Sequence, residues 1–191
     1  AVTAEALGHA AAPTPFLASA VMAPVALSQS ASEAQQRDWL PRIAAGEARL
    51  GMAFDSLAGS TQASQLALQG ERLSGSIDGL LDGAGASHLL IYLADGRAAL
   101  VDTAAEGVRF ALKPNLDRTR PLAEASFDGA PVEILDAANQ PLEAARAVIA
   151  AGRVMLAADT LGAAQKMLDD AVAYAGERVQ FGRAIASFQA V

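Results

Sequence analysis

Between Gly51 and about Asp136 the apolar residues recur with a period near two, and turn residues break the pattern every few positions. On both sides the apolar residues recur at helical spacing instead. A period of two puts alternate side chains on one face of a sheet, and a period near 3.6 puts them on one stripe of a helix. The chain is therefore expected to be α+β. Helices end an N-terminal region over 1–50, a small antiparallel β barrel or sandwich fills 51–136, and a helical bundle begins over 137–191. Candidate strands are Leu66 to Leu68, Leu73 to Ile77, Leu89 to Leu93, Ala98 to Val101, Val108 to Leu112 and Val132 to Leu135. Asp95-Gly96 between two apolar runs is a hairpin signal. Gly83-Ala84-Gly85 reads as a strand connection, because no G-x-G-x-x-G runs from a strand into a helix.

The flanks carry their own punctuation. An Ala-rich piece precedes a helical stretch from Phe16 to Leu27, and a further helix starts at Ser32. Ser32 with Gln35 makes a capping box, and Gly46 supplies the stop. Trp39, Leu40 and Ile43 recur at helical spacing and are read as core. From Pro141 the pattern is helical again and nearly apolar all round from Ala147 to Ala164, as in a helix buried in a bundle or an oligomer interface. Arg153 and Asp159 interrupt that run. A charge buried there is costly unless paired or used, so Arg153 either meets an acid or serves a site.

Composition excludes several functions. With 52% hydrophobic and 18% charged residues in 191, the chain is globular. Its 14 basic and 21 acidic residues give a net charge of −7, which argues against a general nucleic-acid surface. No cysteine is present, so there is no disulfide framework and no thiolate ligand or nucleophile. His9 and His88 alone supply a histidine metal site poorly, and each is read as a satisfied or exposed side chain. The most membrane-like stretch, Ala6 to Leu27, is interrupted by Pro13, Pro15 and Pro24 and lacks a basic start. A soluble, cytoplasmic protein without membrane insertion is expected.

The final run, RVQFGRAIASFQAV from Arg178 to Val191, closes the apolar helix pattern with an arginine, an amide, an aromatic ring and a glycine. Arg178 can fork onto a pyrophosphate, Gln180 can donate beside it, Phe181 can cover an apolar ring edge, and Gly182 lets backbone approach closely. The plainer reading is a surface arginine after a core helix, with Phe181 and Phe188 as packing.

This string resembles the flavin-binding signature of acyl-CoA dehydrogenases, where a tyrosine-containing helix runs into Arg-x-Gln-Phe-Gly and then Phe-Gln. Tyr174, Arg178, Gln180, Phe181, Gly182, Ile185, Phe188 and Gln189 fall in register, with Ala184 where proline is common. Ala34-Gln35 to Trp39-Leu40-Pro41 and Gly46-Glu47 also resemble the family's last N-terminal helix before its β domain. Gly162 and Gln165 match its C-terminal helix. The resemblance implies that Arg178 and Gln180 reach the FAD of a neighbouring subunit, with Phe188 and Gln189 near the same cofactor and Arg153 beside the acyl-CoA cleft. It also implies an acyl-CoA substrate, a homo- or heterotetramer of homologous subunits and electron-transfer flavoprotein as electron acceptor, all within lipid and fatty acid metabolism. Family members usually carry helices before Glu5-Ala6-Leu7-Gly8 and after Val191, so the chain is expected to be incomplete at both ends.

Departures from the pattern matter as much. Desaturating an acyl thioester needs a carboxylate to take the α proton while a flavin accepts hydride from the β carbon. In most of the family that glutamate lies in a later segment, and in a branched-chain-specific subset it matches Gly152, which cannot be a base. No catalytic residue is assigned within the chain. The family's Thr-Glu-Pro becomes Phe54-Asp55-Ser56, and its small-residue loop ending Gly-Ser-Asp becomes Leu57-Ala58-Gly59-Ser60-Thr61, in which Gly59 and Ser60 survive as cofactor and substrate contacts. Phe54 has no donor for a flavin. The family's lysine and Trp/Tyr-x-Thr strand become Ile77 and Gly79-Leu80-Leu81. One half of the flavin site is kept and the other eroded, as expected of the arginine-donating subunit of an α2β2 heterotetramer. A self-sufficient homotetramer with its base beyond Val191, and a structural subunit without chemistry, remain as alternatives. The altered strands would admit bulky acyl groups such as a sterol side chain.

Overall fold

The computed structural model describes residues 1–55, 57 and 66–188. Helix α1 (Val2–His9) is followed by a π-helical segment (Phe16–Met22) that runs into α2 (Ala23–Ser30), and then by α3 (Glu33–Ala44). The strands β1 (Leu50–Phe54), β2 (Ala67–Gln69), β3 (Arg72–Leu81), β4 (His88–Tyr92), β5 (Ala98–Asp102), β6 (Val108–Leu112), β7 (Leu122–Pro131) and β8 (Glu133–Leu135) come next. Helix α4 (Pro141–Glu177) leads into the short strands β9 (Val179–Gln180) and β10 (Arg183–Ala184). The fold class is α+β, as the two periodicities require.

Local signals in the flanks act as written. Ser32 Oγ accepts the Gln35 N–H while Gln35 Oε1 accepts the Ser32 N–H, which completes the capping box. Helix α3 ends two residues before Gly46. The wide turn at Phe16–Met22 precedes Pro24, whose missing N–H removes a rung from the regular ladder.

The sheet runs in the order β6-β7-β3-β1-β4-β5-β8, with β2 paired to β3. The Asp95-Gly96 signal marks the β4–β5 hairpin. The sheet is mixed, not wholly antiparallel, because β1 lies parallel to β4 from Leu50 opposite His88 to Phe54 opposite Tyr92. Strands β1 and β7 were not among those expected, and β3 extends beyond Ile77 through a bulge to Leu81.

One compact unit spans Pro13–Arg153. Along β4, Leu90 and Tyr92 point to one core with Leu27, Trp39 and Leu50, and Leu89 and Ile91 point to a second core with Leu73, Phe127 and Ala123. The strand is buried on both faces, which accounts for its unbroken apolar run. Asp82 joins helix to sheet: its Oδ2 accepts the Ala18 N–H at 2.9 Å, satisfying a first-turn donor of the π-helical segment. Burial raises the Asp82 pKa above the ordinary carboxylate value, against the lowering effects of that N–H and of the Arg120 charge. The folded state therefore holds the proton more tightly than the unfolded chain, and stability falls as pH rises from the ordinary carboxylate range through the raised value. Asp82→Asn keeps an acceptor and tolerates the φ of 52°. It is expected to remove that acid-side slope in urea unfolding from pH 3.5 to 7, and an unchanged slope would contradict it.

The second unit comprises Ala1–Ala12 and Val154–Val191. Here α1 crosses α4 at two glycines that serve each other's backbones. A Cβ at Gly8 would sit 1.9 Å from the Asp159 carbonyl oxygen, and one at Gly162 would sit 1.9 Å from that of Glu5. His9 Nε2 lies 3.9 Å from Asp169 farther along the same contact. The rest of α4 is open: Val154, Leu161, Met167, Leu168 and Val172 are exposed. By length and composition alone, α4 is apolar enough to cross a membrane.

Candidate functional site

The residues after α4 form a small hairpin. The Arg178 N–H donates to the Tyr174 carbonyl at 2.8 Å, closing the helix, and the Ile185 N–H donates to the Arg178 carbonyl at 2.9 Å, closing the hairpin. Gln180 pairs with Arg183 and Val179 with Ala184. The two turn residues, Phe181 and Gly182, have φ of 52° and 80°, the pattern of a type I′ hairpin turn. Gly182 is thus required by its dihedral. A Cβ there would meet nothing within 4 Å among the described residues, so none of them makes the close approach expected of it.

Side chains on this hairpin are presented outward. Phe181 is 94% exposed, and Phe188 meets it edge-on at 6.5 Å between ring centroids. Arg183 lies over the Phe188 ring at 3.9 Å, a cation–π contact that the sequence reading did not single out. Gln180 is exposed, and its amide donates to the Val179 carbonyl at 2.9 Å. The Arg178 guanidinium is exposed and makes no ion pair among the described residues. Arg178, Gln180, Phe181 and Phe188 therefore stand together on one short prong, while Gln189 lies outside the described residues.

The β-domain positions are arranged differently. Phe54, at the end of β1, stacks on Tyr92 with centroids 5.3 Å apart and planes 5° from parallel. The Tyr92 hydroxyl is 3.2 Å from Ser30 Oγ, so the ring pair is tied into the helical layer by a buried hydrogen bond. Phe54→Thr would place a hydroxyl at that position but remove the stack. It is expected to cost about 1–3 kcal/mol, read from the midpoint of urea unfolding. Beyond the bulge in β3, Gly79 is exposed at a φ of 72° and offers no ring, and Ile77 is turned into the core. Gly59 and Ser60 lie outside the described residues.

Next to Phe54, Asp55 is 5% exposed, and its Oδ1 has no hydrogen-bond partner among the described residues. A buried carboxylate oxygen left unpaired costs the full desolvation of that group. Gly152 is buried beneath Met22, whose Sδ would lie 2.8 Å from a Cβ there, so an acid at this position would have to displace it. Arg153 is exposed and carries no burial cost, contrary to the tension expected from its apolar helix. His88 packs edge-on to Trp39 at 4.8 Å, and the Trp39 indole donates to Glu133 at 3.1 Å. Burial holds the His88 pKa below the usual histidine value, with Asp102 opposing and Arg42 reinforcing. Among the described residues no group of three or more acids and histidines is placed to hold a metal ion.

The α+β make-up, the parallel β1–β4 pair and the arginine hairpin after α4 together define a recognisable class of fold. A family profile described as acyl-CoA dehydrogenase, C-terminal domain, matches residues 139–191. Over 149 residues the chain is 36% identical to the acyl-CoA dehydrogenase FadE34 of Mycobacterium tuberculosis, covering 78% of this chain and 19% of that protein. It superposes on a variant of the Tcur3481-Tcur3483 steroid ACAD with a TM-score of 0.78 and 28% identity, over 98% of this chain and 52% of that one. It superposes on a glutaryl-CoA dehydrogenase of Mycobacterium smegmatis, solved in complex with FADH2, with a TM-score of 0.70 and 24% identity, over 87% of this chain and 47% of that one. The chain belongs to the acyl-CoA dehydrogenase family. It spans about a fifth of the curated relative and about half of each matched structure.

Proposed function

We propose that this chain is part of an FAD-dependent acyl-CoA dehydrogenase that desaturates an acyl-CoA thioester, and that it lends Arg178 and Gln180 to FAD held by a homologous partner subunit. The observation that carries the proposal is the contrast between the two halves. The prong presents an exposed arginine with no ion pair among the described residues, while Phe54, which stands where the resemblance expects a flavin hydrogen-bond donor, is stacked on Tyr92. FAD, when bound, supplies the hydride acceptor for the β carbon, and electron-transfer flavoprotein takes the electrons onward.

The chain's own residues then divide the work. Arg178 places its fork on pyrophosphate oxygens, Gln180 donates beside it, and Phe181, Phe188 and Gln189 bound the same cofactor. Arg153 lies on the acyl-CoA side. Gly59 and Ser60 keep backbone and hydroxyl contacts in the β domain, where Ser60 also meets substrate. The β half fits a flavin poorly through side chains, since Phe54 offers no donor and Gly79 no ring. No carboxylate of this chain is assigned as the base, and the partner supplies it.

The regions 1–50, 51–136 and 137–191 correspond in this reading to the end of an N-terminal helical domain, a middle β domain and the first part of a C-terminal helical domain. Further helices or the partner cover the open apolar face of α4, in a soluble, cytoplasmic heterotetramer. Likeness to a steroid ACAD supports a bulky, ring-bearing acyl group. The test is the flavin-to-chain ratio, from visible absorption, of the full-length protein purified alone and with a co-expressed paralogue. Little flavin alone and about one per pair supports the shared site. One per chain alone overturns it in favour of a self-sufficient homotetramer, and none in either preparation favours a structural subunit.

A further inference from the structure

The outward face of β3, β7 and β6 carries an open groove of about 480 Å3. Ser126 on β7 lies directly opposite Ser76 on β3 and Arg109 on β6, so three side chains cross the groove at one level. Residues directly opposite each other share a sheet face, and neighbouring strands are about 4.8 Å apart. The row therefore fits within the reach of a single small ligand. All three residues line the groove, and none uses its side chain in a hydrogen bond or ion pair among the described residues.

The next level differs. There Lys113 Nζ lies 2.6 Å from Asp78 and 3.6 Å from Glu124, and its hydrogen bond, with the Gly79 N–H, holds the Asp78 pKa below the ordinary value. The two acids are engaged with one lysine, while the guanidinium and two hydroxyls beside them are not engaged. A neutral or cationic ligand would use the acids and leave the row idle. A tetrahedral oxyanion would use the row, because a guanidinium fork takes two oxygens and hydroxyl donors take the others.

We infer that Arg109, Ser126 and Ser76 form a phosphate-binding site on the outer face of the β domain. It involves no residue of the Arg178 prong and does not depend on the flavin reading. The phosphate is either free or carried by a nucleotide such as coenzyme A, and the test separates the two. Radiolabelled inorganic phosphate is dialysed to equilibrium against the full-length protein, Arg109→Ala, and the Ser76→Ala/Ser126→Ala double variant, with thermal unfolding as a check on folding. Saturable binding that weakens at least tenfold in Arg109→Ala and measurably in the double variant, at unchanged unfolding temperature, supports the site. Added coenzyme A that displaces the label identifies the nucleotide as the source. Retained label in its presence identifies free phosphate. No saturable binding to the unaltered protein, or equal binding to Arg109→Ala, overturns the site.

Discussion

Arg178→Ala in the assembled full-length protein is expected to weaken flavin retention by about ten- to hundredfold, the equivalent of about 1.5–3 kcal/mol for hydrogen bonds to a charged partner. The measurement is the flavin dissociation constant, followed by the recovery of flavin fluorescence on dilution. Because the guanidinium is exposed and has no ion pair among the described residues, its removal should leave the unfolding temperature of the chain almost unchanged. That separation of effects distinguishes a cofactor-binding arginine from a structural one. Arg178→Lys keeps the charge but not the planar fork, so it should recover only part of the affinity. If Arg178→Ala holds flavin as tightly as the unaltered protein, the prong does not reach the cofactor and the shared-site proposal fails.

Gly162→Val is expected to have the largest effect on stability. Its Cβ would fall 1.9 Å from the Glu5 carbonyl oxygen, a backbone atom that cannot swing aside as a side chain could. Overpacking typically costs about 1–3 kcal/mol where neighbours can adjust. Here α1 must lift away from α4, so a loss at the upper end of that range or beyond is expected. Thermal unfolding monitored by circular dichroism should show a clearly lowered midpoint. Gly8→Val meets the Asp159 carbonyl in the same way, and the double variant should cost less than the sum of the two, because the first substitution already opens the crossing. Full additivity would show that the two glycines act at independent contacts.

How much of this was legible beforehand depended on how local each signal was. The capping box at Ser32 and the Asp95-Gly96 hairpin are written within a few residues, and both formed as read. Strand β1 is buried along Leu50 to Ala53 and shows no alternation, so it merged with the end of the helical region. In β7 the alternation is present, since Ala123, Ala125 and Phe127 are buried between exposed Glu124, Ser126 and Asp128. Alanine carries little strand preference, and the period was hidden by weak residues. The parallel β1–β4 pair and the Asp82 bond to Ala18 join distant parts of the chain, and neither composition nor spacing announces them. The arginine prong was legible as a motif. Its turn was not, because Phe-Gly is an uncommon occupant of a position that usually takes Asn-Gly.

The stacked pair of Phe54 and Tyr92 also couples the sheet to the helices. A ring at residue 54 enters the protein's economy twice, as a donor missing from one surface and as a plane supporting the buried Tyr92–Ser30 bond. The two rings depend on each other: replacing Phe54 alone removes the plane packed on Tyr92, and replacing Tyr92 alone removes the partner of both Phe54 and Ser30. The pair therefore ties any change at residue 54 to the packing of the helices through Ser30.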